Sequence, residues 1–334
     1  MNLEEKLELV KRGTEEIVTE EELREILKKK APVGYWGTAT TGEVHTGYLI
    51  PVQKIMDFVE AGFKFKILIA DVHSYLDDMK TPWELMKARA EYYKACFEAL
   101  GLRDVEYVFD SDFKYEKEYV EKVYRLSALV TQKRALRAAS EVCRLKNPKV
   151  SELVYPIMQS VDCWWLGVDV AYSGTDQRHI YMLSREILPK IGLEKPTLVM
   201  TPMLSGLVKG VKSSASIPES NIKIYDEPEV IKKKIISAWC PPEPKGNPIL
   251  EYYKFIIFPR FGKIRVERPE KFGGDMEFEN YEELEKAYVS KSIHPLDLKT
   301  DLIERLTKIL EPCRKYFENK KELIEDAYPV EENA

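Results

Sequence analysis

Long hydrophobic runs are missing from this 334-residue chain. The longest apolar stretches, such as residues 67–70, fall far short of the ~20 residues a helix needs to cross a bilayer, so no membrane span is expected. The charged opening Met1-Asn2-Leu3-Glu4-Glu5-Lys6 does not read as a signal peptide. Cysteine is scarce and scattered. Cys96, Cys143, Cys163, Cys240 and Cys313 are odd in number and form no Cys-x-x-Cys pair, which argues against a disulfide framework and a zinc knuckle. A reduced, cytoplasmic protein is expected. The Gly-x-Gly-x-x-Gly and Walker patterns are also absent, which lowers the dehydrogenase and P-loop readings. Neither sign of charge dominates: Lys+Arg 51 against Asp+Glu 56 leaves −5. A polyanionic partner must therefore be met by local basic patches.

What is present is an ordinary globular composition, 44% hydrophobic and 32% charged, at a length that suits two domains. Residues 3–10 and 23–30 have helical spacing, and Thr19-Glu20-Glu21-Glu22 is a capping-box pattern. Short β-rich runs then alternate with long amphipathic ones: 33–38, 45–63, 65–71, 81–100 and 105–109 read as βαβαβ. Residues 115–146 read as an inserted basic helical segment. A second passage reads 168–171 as strand, 176–191 as helix and 197–201 as strand. The expected fold is an α/β, doubly wound, parallel-sheet (Rossmann-like) domain, with ligands at the carboxyl ends of its strands. Beyond the polar, serine-rich stretch 207–219, a mainly helical second domain is expected. It holds a basic helix over 228–239, a turn at 271–275, an amphipathic helix over 302–321 broken at Pro312, and an acidic tail fraying from Ala327.

Only four histidines exist, His45, His73, His179 and His294. His45 lies in a glycine-containing loop after the first strand, Thr40 to Tyr48, where Gly42 and Gly47 permit close backbone approach to a phosphate. The plain alternative is a tight turn with a capping histidine. Tyr155, Gln159 and Asp162 fall at i, i+4 and i+7 on one helix face, a polar stripe that either is solvated or lines a pocket. Ser173-Gly174-Thr175-Asp176-Gln177-Arg178-His179 again follows a strand and opens a helix. No carboxylate cluster reads as a dedicated metal site.

Six segments, in this order along the chain, resemble the archaeal and eukaryotic form of tyrosyl-tRNA synthetase. They are Tyr35 to Gly42, Ala70 to Leu76, Tyr155 to Asp162, Gly174 to Arg178, Lys271 to Asp275 and His294 to Lys299. The resemblance implies a class I catalytic domain over 1–208 with a helical insertion at about 115–150, a mobile signature loop over 209–217, and an anticodon-binding domain over 218–334. It implies a cytoplasmic homodimer acting on L-tyrosine, ATP carried with Mg²⁺, and tRNA(Tyr). Tyr35 and Asp162 would take the phenolic hydroxyl of tyrosine, and Tyr155, Gln159 and Gln177 its amino group, with Gly37 and His73 in the same pocket. Thr38, Ala39, Gly42, His45, Gly47, Lys212, Ser213 and Ser214 would hold ATP, with His45, Gly47 and Lys212 serving the chemistry. Phe272 and His294 would stack on the first anticodon base, Asp297 would accept from its edge, and Arg178 would touch the tRNA.

Two segments depart from that family's pattern. His45-Thr46-Gly47-Tyr48 ends in an aromatic residue where the signature has histidine. The lysine–serine signature is altered to Val211-Lys212-Ser213-Ser214-Ala215-Ser216, with two possible alignments of its serines. The alternatives are a non-catalytic tyrosine- or RNA-binding relative with a degenerate loop, and a tryptophanyl-tRNA synthetase. The second is disfavoured because an indole offers no hydroxyl to a buried carboxylate.

Overall fold

The computed structural model describes residues 1–143 and 147–329. The chain opens with α1 (Leu3–Lys11), β1 (Glu16–Val18) and α2 (Glu20–Leu27). Asn2 and Glu5 cap α1 reciprocally, and the Thr19 hydroxyl accepts from Glu22 N at the start of α2. Then come β2 (Val33–Ala39), α3 (Leu49–Glu60), β3 (Lys64–Ala70), α4 (Asp71–Leu76), α5 (Met86–Ala99) and β4 (Glu106–Phe109). The helices α6 (Lys117–Ser127), α7 (Gln132–Ala139) and α8 (Val150–Trp165) follow, and then β5 (Val170–Gly174), α9 (Arg178–Ile187) and β6 (Thr197–Thr201).

The sheet order is β1-β6-β5-β2-β3-β4, parallel throughout except for β1 against β6. Strand order reverses between β5 and β2. That reversal is where a doubly wound sheet leaves a crevice at the carboxyl ends of its strands. The strands are apolar on both faces because helices cover both: Ile67, Leu68, Ile69, Leu198, Val199 and Met200 are all buried.

After β6 the chain forms α10 (Pro228–Ser237), α11 (Pro248–Tyr252), α12 (Phe258–Phe261), a hairpin of β7 (Ile264–Val266) and β8 (Met276–Phe278), α13 (Tyr281–Val289), α14 (Pro295–Glu318) and α15 (Lys321–Ala327). The hairpin has no counterpart among the elements expected from the sequence, because its strands are only three residues long and too short to show alternation. The expected break at Pro312 is also absent. α14 runs through it, since Leu298, Leu302, Leu306, Leu310, Cys313 and Phe317 bury one continuous stripe. That burial outweighs one lost backbone bond. The expected fraying from Ala327 is likewise not met as far as Tyr328. The Arg89 guanidinium lies 4.6 Å from the centre of the Tyr328 ring, which also packs edge-on against Tyr92. Residues 330–334 lie outside the described residues.

Two compact units result. One comprises Met1–Thr41, Ile55–Pro202 and Lys321–Ala334, and the other Gly42–Lys54 with Met203–Lys320.

Candidate active site

In the sheet-containing unit, Tyr35 on β2 and Tyr155, Gln159 and Asp162 on α8 are all buried. Their exposures are 1%, 6%, 8% and 0%. The polar stripe of α8 is therefore buried, and Gln159 and Asp162 both have polar partners. The Tyr35 hydroxyl is hydrogen-bonded to Tyr181, and Asp162 and Tyr181 both raise its phenol beyond the large rise from burial. Gln159 also bonds Tyr181, and its Nε2 donates to Gln177 Oε1 at 3.2 Å. Gln177 ends a short turn leading into α9 and donates to Asp176 Oδ2 at 3.1 Å. Gly37 leaves room for the Tyr35 hydroxyl, which a Cβ there, only 2.8 Å away, would displace. Thr38 and Ala39 end β2. The chain beyond them is held by Thr40 N donating to Ser74 Oγ at 2.6 Å.

Asp162 sits in a cluster of buried charge. Its Oδ1 accepts from the Tyr119 hydroxyl at 2.7 Å, and its Oδ2 lies 3.4 Å from Lys114 Nζ. Burial and the Asp162 charge lift the Tyr119 phenol well above its ordinary value, so it stays a donor. Lys114 also pairs with Asp110 at 2.9 Å and touches His73 Nδ1. His73, whose ring packs on Tyr155 with centroids 4.5 Å apart, lies 3.0 Å from Asp110 through Nδ1. Burial alone would raise the Asp110 carboxyl, but Lys114, His73 and Asp71 together hold it far below its usual range. Asp71 moves the other way. Burial, with Asp110 beside it, pushes it up to about 7.

Lys114, Tyr119, Asp110 and Asp71 were not singled out from the sequence. A faint signal existed: Asp110 and Lys114 are four apart in the loop after β4, at a strand's carboxyl end. Tyr119 and Tyr181 carried none, because a tyrosine at a helix-core position looks like ordinary packing.

In the second unit, His45 is 8% exposed and precedes the turn that opens α3. Gly47 N donates to its Nδ1 at 3.1 Å, so that nitrogen carries no proton. Burial, with Lys234 adding to it, lowers the His45 pKa to about 4. The neutral ring thus presents Nε2–H. A Cβ on Gly47 would come within 2.7 Å of this ring and displace it. Tyr48, at the aromatic departure, packs edge-on to His45 with centroids 5.3 Å apart.

The serine-rich stretch folds back through a Ser205–Lys212 bridge. Ser213 Oγ stands 3.3 Å from His45 Nδ1, whereas Ser214 is tied by its carbonyl to Asn221 Nδ2 at 2.6 Å. Lys212 is exposed. Ala215 stands where a Cβ on Gly42 would come within 2.4 Å of it, so these two small residues set a close approach.

Elsewhere in this unit the turn between β7 and β8 presents Phe272, 60% exposed. His294 caps α14, its Nδ1 accepting from Leu296 N at 3.1 Å. Arg268, also not singled out from the sequence, joins these pieces. Its Nε donates to Gly274 O at 2.8 Å, its Nη1 to Ser292 O at 3.0 Å, and its Nη1 lies 3.9 Å from Asp297 Oδ2. Arg178 lies in the other unit and is engaged there by Glu16, at 2.7 and 2.8 Å.

A family model described as tRNA synthetases class I (W and Y) matches residues 27–311. A tyrosine–tRNA ligase of Methanoculleus marisnigri is 47% identical over 310 residues, spanning 92% of this chain and 98% of its own. One from Haloarcula marismortui is 42% identical over 341 residues, with 98% of both chains covered. The crystal structure of tyrosyl-tRNA synthetase complexed with L-tyrosine from Archaeoglobus fulgidus superposes with a TM-score of 0.91 at 43% identity. It covers 94% of this chain and 99% of that one.

Proposed function

The chain belongs to the tyrosyl-tRNA synthetases of class I, and on that premise we propose how its residues divide the work of joining tyrosine to tRNA. The enzyme is an ATP-dependent ligase. The single observation that best supports tyrosine as the amino acid read is Asp162, a fully buried carboxylate facing the Tyr35 side of the pocket. A phenolic hydroxyl can donate to it and accept from Tyr35; an indole or a phenyl ring leaves it unmatched. Tyr155, Gln159, Gln177 and His73 line the pocket as polar neighbours for the ammonium end, and Gly37 keeps the floor open.

Tyrosine's carboxylate oxygen attacks the α-phosphorus of ATP, the bond to the β-phosphate bridging oxygen breaks, and pyrophosphate leaves. The acyl group then passes to the terminal ribose of tRNA, releasing AMP. Positioning and charge stabilisation carry such a transfer. His45 Nε2–H, the backbone around Gly47 and the amino end of α3 donate to phosphate oxygens. Lys212 supplies mobile positive charge to the departing pyrophosphate, and Ser213, beside His45, adds a hydroxyl. Ser214, Thr38, Ala39 and Gly42 complete the ATP contacts. Mg²⁺ enters with ATP as part of the substrate.

Phe272 and His294, with Asp297 held beside Arg268, offer an exposed ring, an imidazole and a carboxylate to an unpaired base. Asp297 would accept from a guanine edge at the first anticodon position. By function, 1–208 is the catalytic domain, 209–217 the signature loop and 218–334 the anticodon-binding domain. The working form is a cytoplasmic homodimer. No described helix is long and apolar enough to cross a membrane.

The test is tyrosine-dependent exchange of pyrophosphate into ATP, followed by charging of tRNA(Tyr). Exchange with tyrosine far above phenylalanine and tryptophan is expected. Tyrosine binding without exchange would instead establish a non-catalytic relative.

A further inference from the structure

Apart from the residues already assigned, three groups able to bind a metal meet at one buried point of the sheet-containing unit. Asp77 follows the end of α4, Cys143 lies in the turn after α7, and Glu152 is in the first turn of α8. Each presents a ligand atom within 4.8 Å of the other two. Exposures are 3% for Asp77, 6% for Cys143 and 1% for Glu152. Because they stand far apart in sequence, no spacing pattern could have announced them.

The two carboxylates are only half satisfied. Asp77 Oδ2 is 2.5 Å from Lys80 Nζ, and Glu152 Oε2 accepts from Lys149 N at 2.7 Å. Lys149 Nζ itself turns to Asp78, at 2.7 Å. The other oxygens, Asp77 Oδ1 and Glu152 Oε1, are buried with no hydrogen-bond partner. A buried acceptor left in that state costs about 1–3 kcal/mol, more when charged. Burial pushes the Cys143 thiol up to about 12, and Asp77 and Glu152 add to the rise, Asp77 also through a hydrogen bond with the thiol. A bound cation inverts every one of these penalties.

We infer that Asp77, Cys143 and Glu152 form a binding site for a divalent cation of the zinc type. A thiolate among the ligands disfavours Mg²⁺ and Ca²⁺, which prefer all-oxygen sets, and suits a borderline ion with mixed sulfur and oxygen ligands. Bonds of about 2.0 Å to oxygen and 2.3 Å to sulfur place tetrahedral ligands roughly 3–4 Å apart. The three ligand atoms, now within 4.8 Å of one another, close to that spacing on binding. A water takes the fourth position. On binding, the Cys143 thiol gives its proton to solvent and its sulfur lone pair to the metal, while both carboxylates coordinate as anions.

The consequence is mechanical. α4 carries His73, and α8 carries Tyr155 one turn beyond Glu152, so a metal joining the end of α4 to the start of α8 braces two walls of the tyrosine pocket. Loss of the metal raises the KM for tyrosine more than it lowers kcat.

The experiment uses the full chain, reduced, stripped by chelation and titrated with Co²⁺. One cobalt per chain is expected, with a near-ultraviolet thiolate-to-cobalt charge-transfer band that Zn²⁺ abolishes. Cys143→Ser should lack the band, and Glu152→Gln should weaken cobalt binding by more than about 10-fold, the lower range seen even for outer partners of a metal. A wild type with no band overturns the inference, as does a band undiminished in Cys143→Ser. Should that variant fail to fold, thermal melting of the stripped wild type decides. A rise in Tm on adding Zn²⁺ that Glu152→Gln lacks supports the site; an unchanged Tm refutes it.

Discussion

Lys114 offers the sharpest test of the buried charge around Asp162, at the proposed tyrosine site. Its side chain is 1% exposed and lies 2.9 Å from Asp110 and 3.4 Å from Asp162. Lys114→Met keeps the length and apolar stem while removing the charge, leaving two buried carboxylates without their shared cation. Removing one partner from a buried ion pair costs about 3–5 kcal/mol. For a folding unit of roughly 200 residues each kcal/mol moves Tm by about 2–4 °C, so a fall of about 6–20 °C is expected. Specificity should suffer too. Asp162 will no longer be held as the acceptor for a phenolic hydroxyl, and one such bond is worth about 1–3 kcal/mol, or roughly 5- to 150-fold. The assays are thermal melting and pyrophosphate exchange with tyrosine and with phenylalanine, measured on the same preparations. A melting point within about 2 °C of wild type, or equal losses of exchange for both amino acids, would refute this account of the cluster.

Other predictions bear on the remaining groups. Asp71 is ordinary in the unfolded chain but raised to about 7 when folded. Between about pH 4 and pH 7 the native state therefore holds a proton the unfolded state has released, and stability falls as pH rises through that window. Asp71→Asn should remove this slope, seen as a gain over wild type in urea unfolding at about pH 8 relative to about pH 5. His45, lowered to about 4, should stay neutral down to about pH 5, so phosphate contacts made through Nε2 should not change over that range. An exchange rate whose pH profile in His45→Asn loses an inflection near pH 6.5 would contradict this. Lys212→Ala should lower kcat for exchange more than it raises the KM for tyrosine, since its charge acts on the leaving pyrophosphate. Asp297→Ala should raise the KM for tRNA and blunt discrimination at the first anticodon base while exchange stays intact. A joint fall in exchange and Tm would mark it as structural.

Much of the chain was legible without coordinates. The alternation of short apolar runs with amphipathic stretches is local, and it led directly to the parallel sheet, because only that arrangement buries both faces of strands such as 64–70. The spacing of Tyr155, Gln159 and Asp162 likewise places them on one helix face without any knowledge of neighbours. What that face meets is another matter. That Asp162 is clasped by Lys114 and Tyr119, or that Asp71 and Asp110 are driven to opposite protonation, depends on residues some 40 to 90 positions apart being desolvated together. Charge coupling of that kind is set by distance and burial, neither of which a linear pattern contains. The same holds for Arg268, which ties Gly274 to Ser292 and Asp297, and for the convergence of Asp77, Cys143 and Glu152. Periodicity determined the longer elements; the tertiary structure decided which polar groups lost their water and therefore had to find one another.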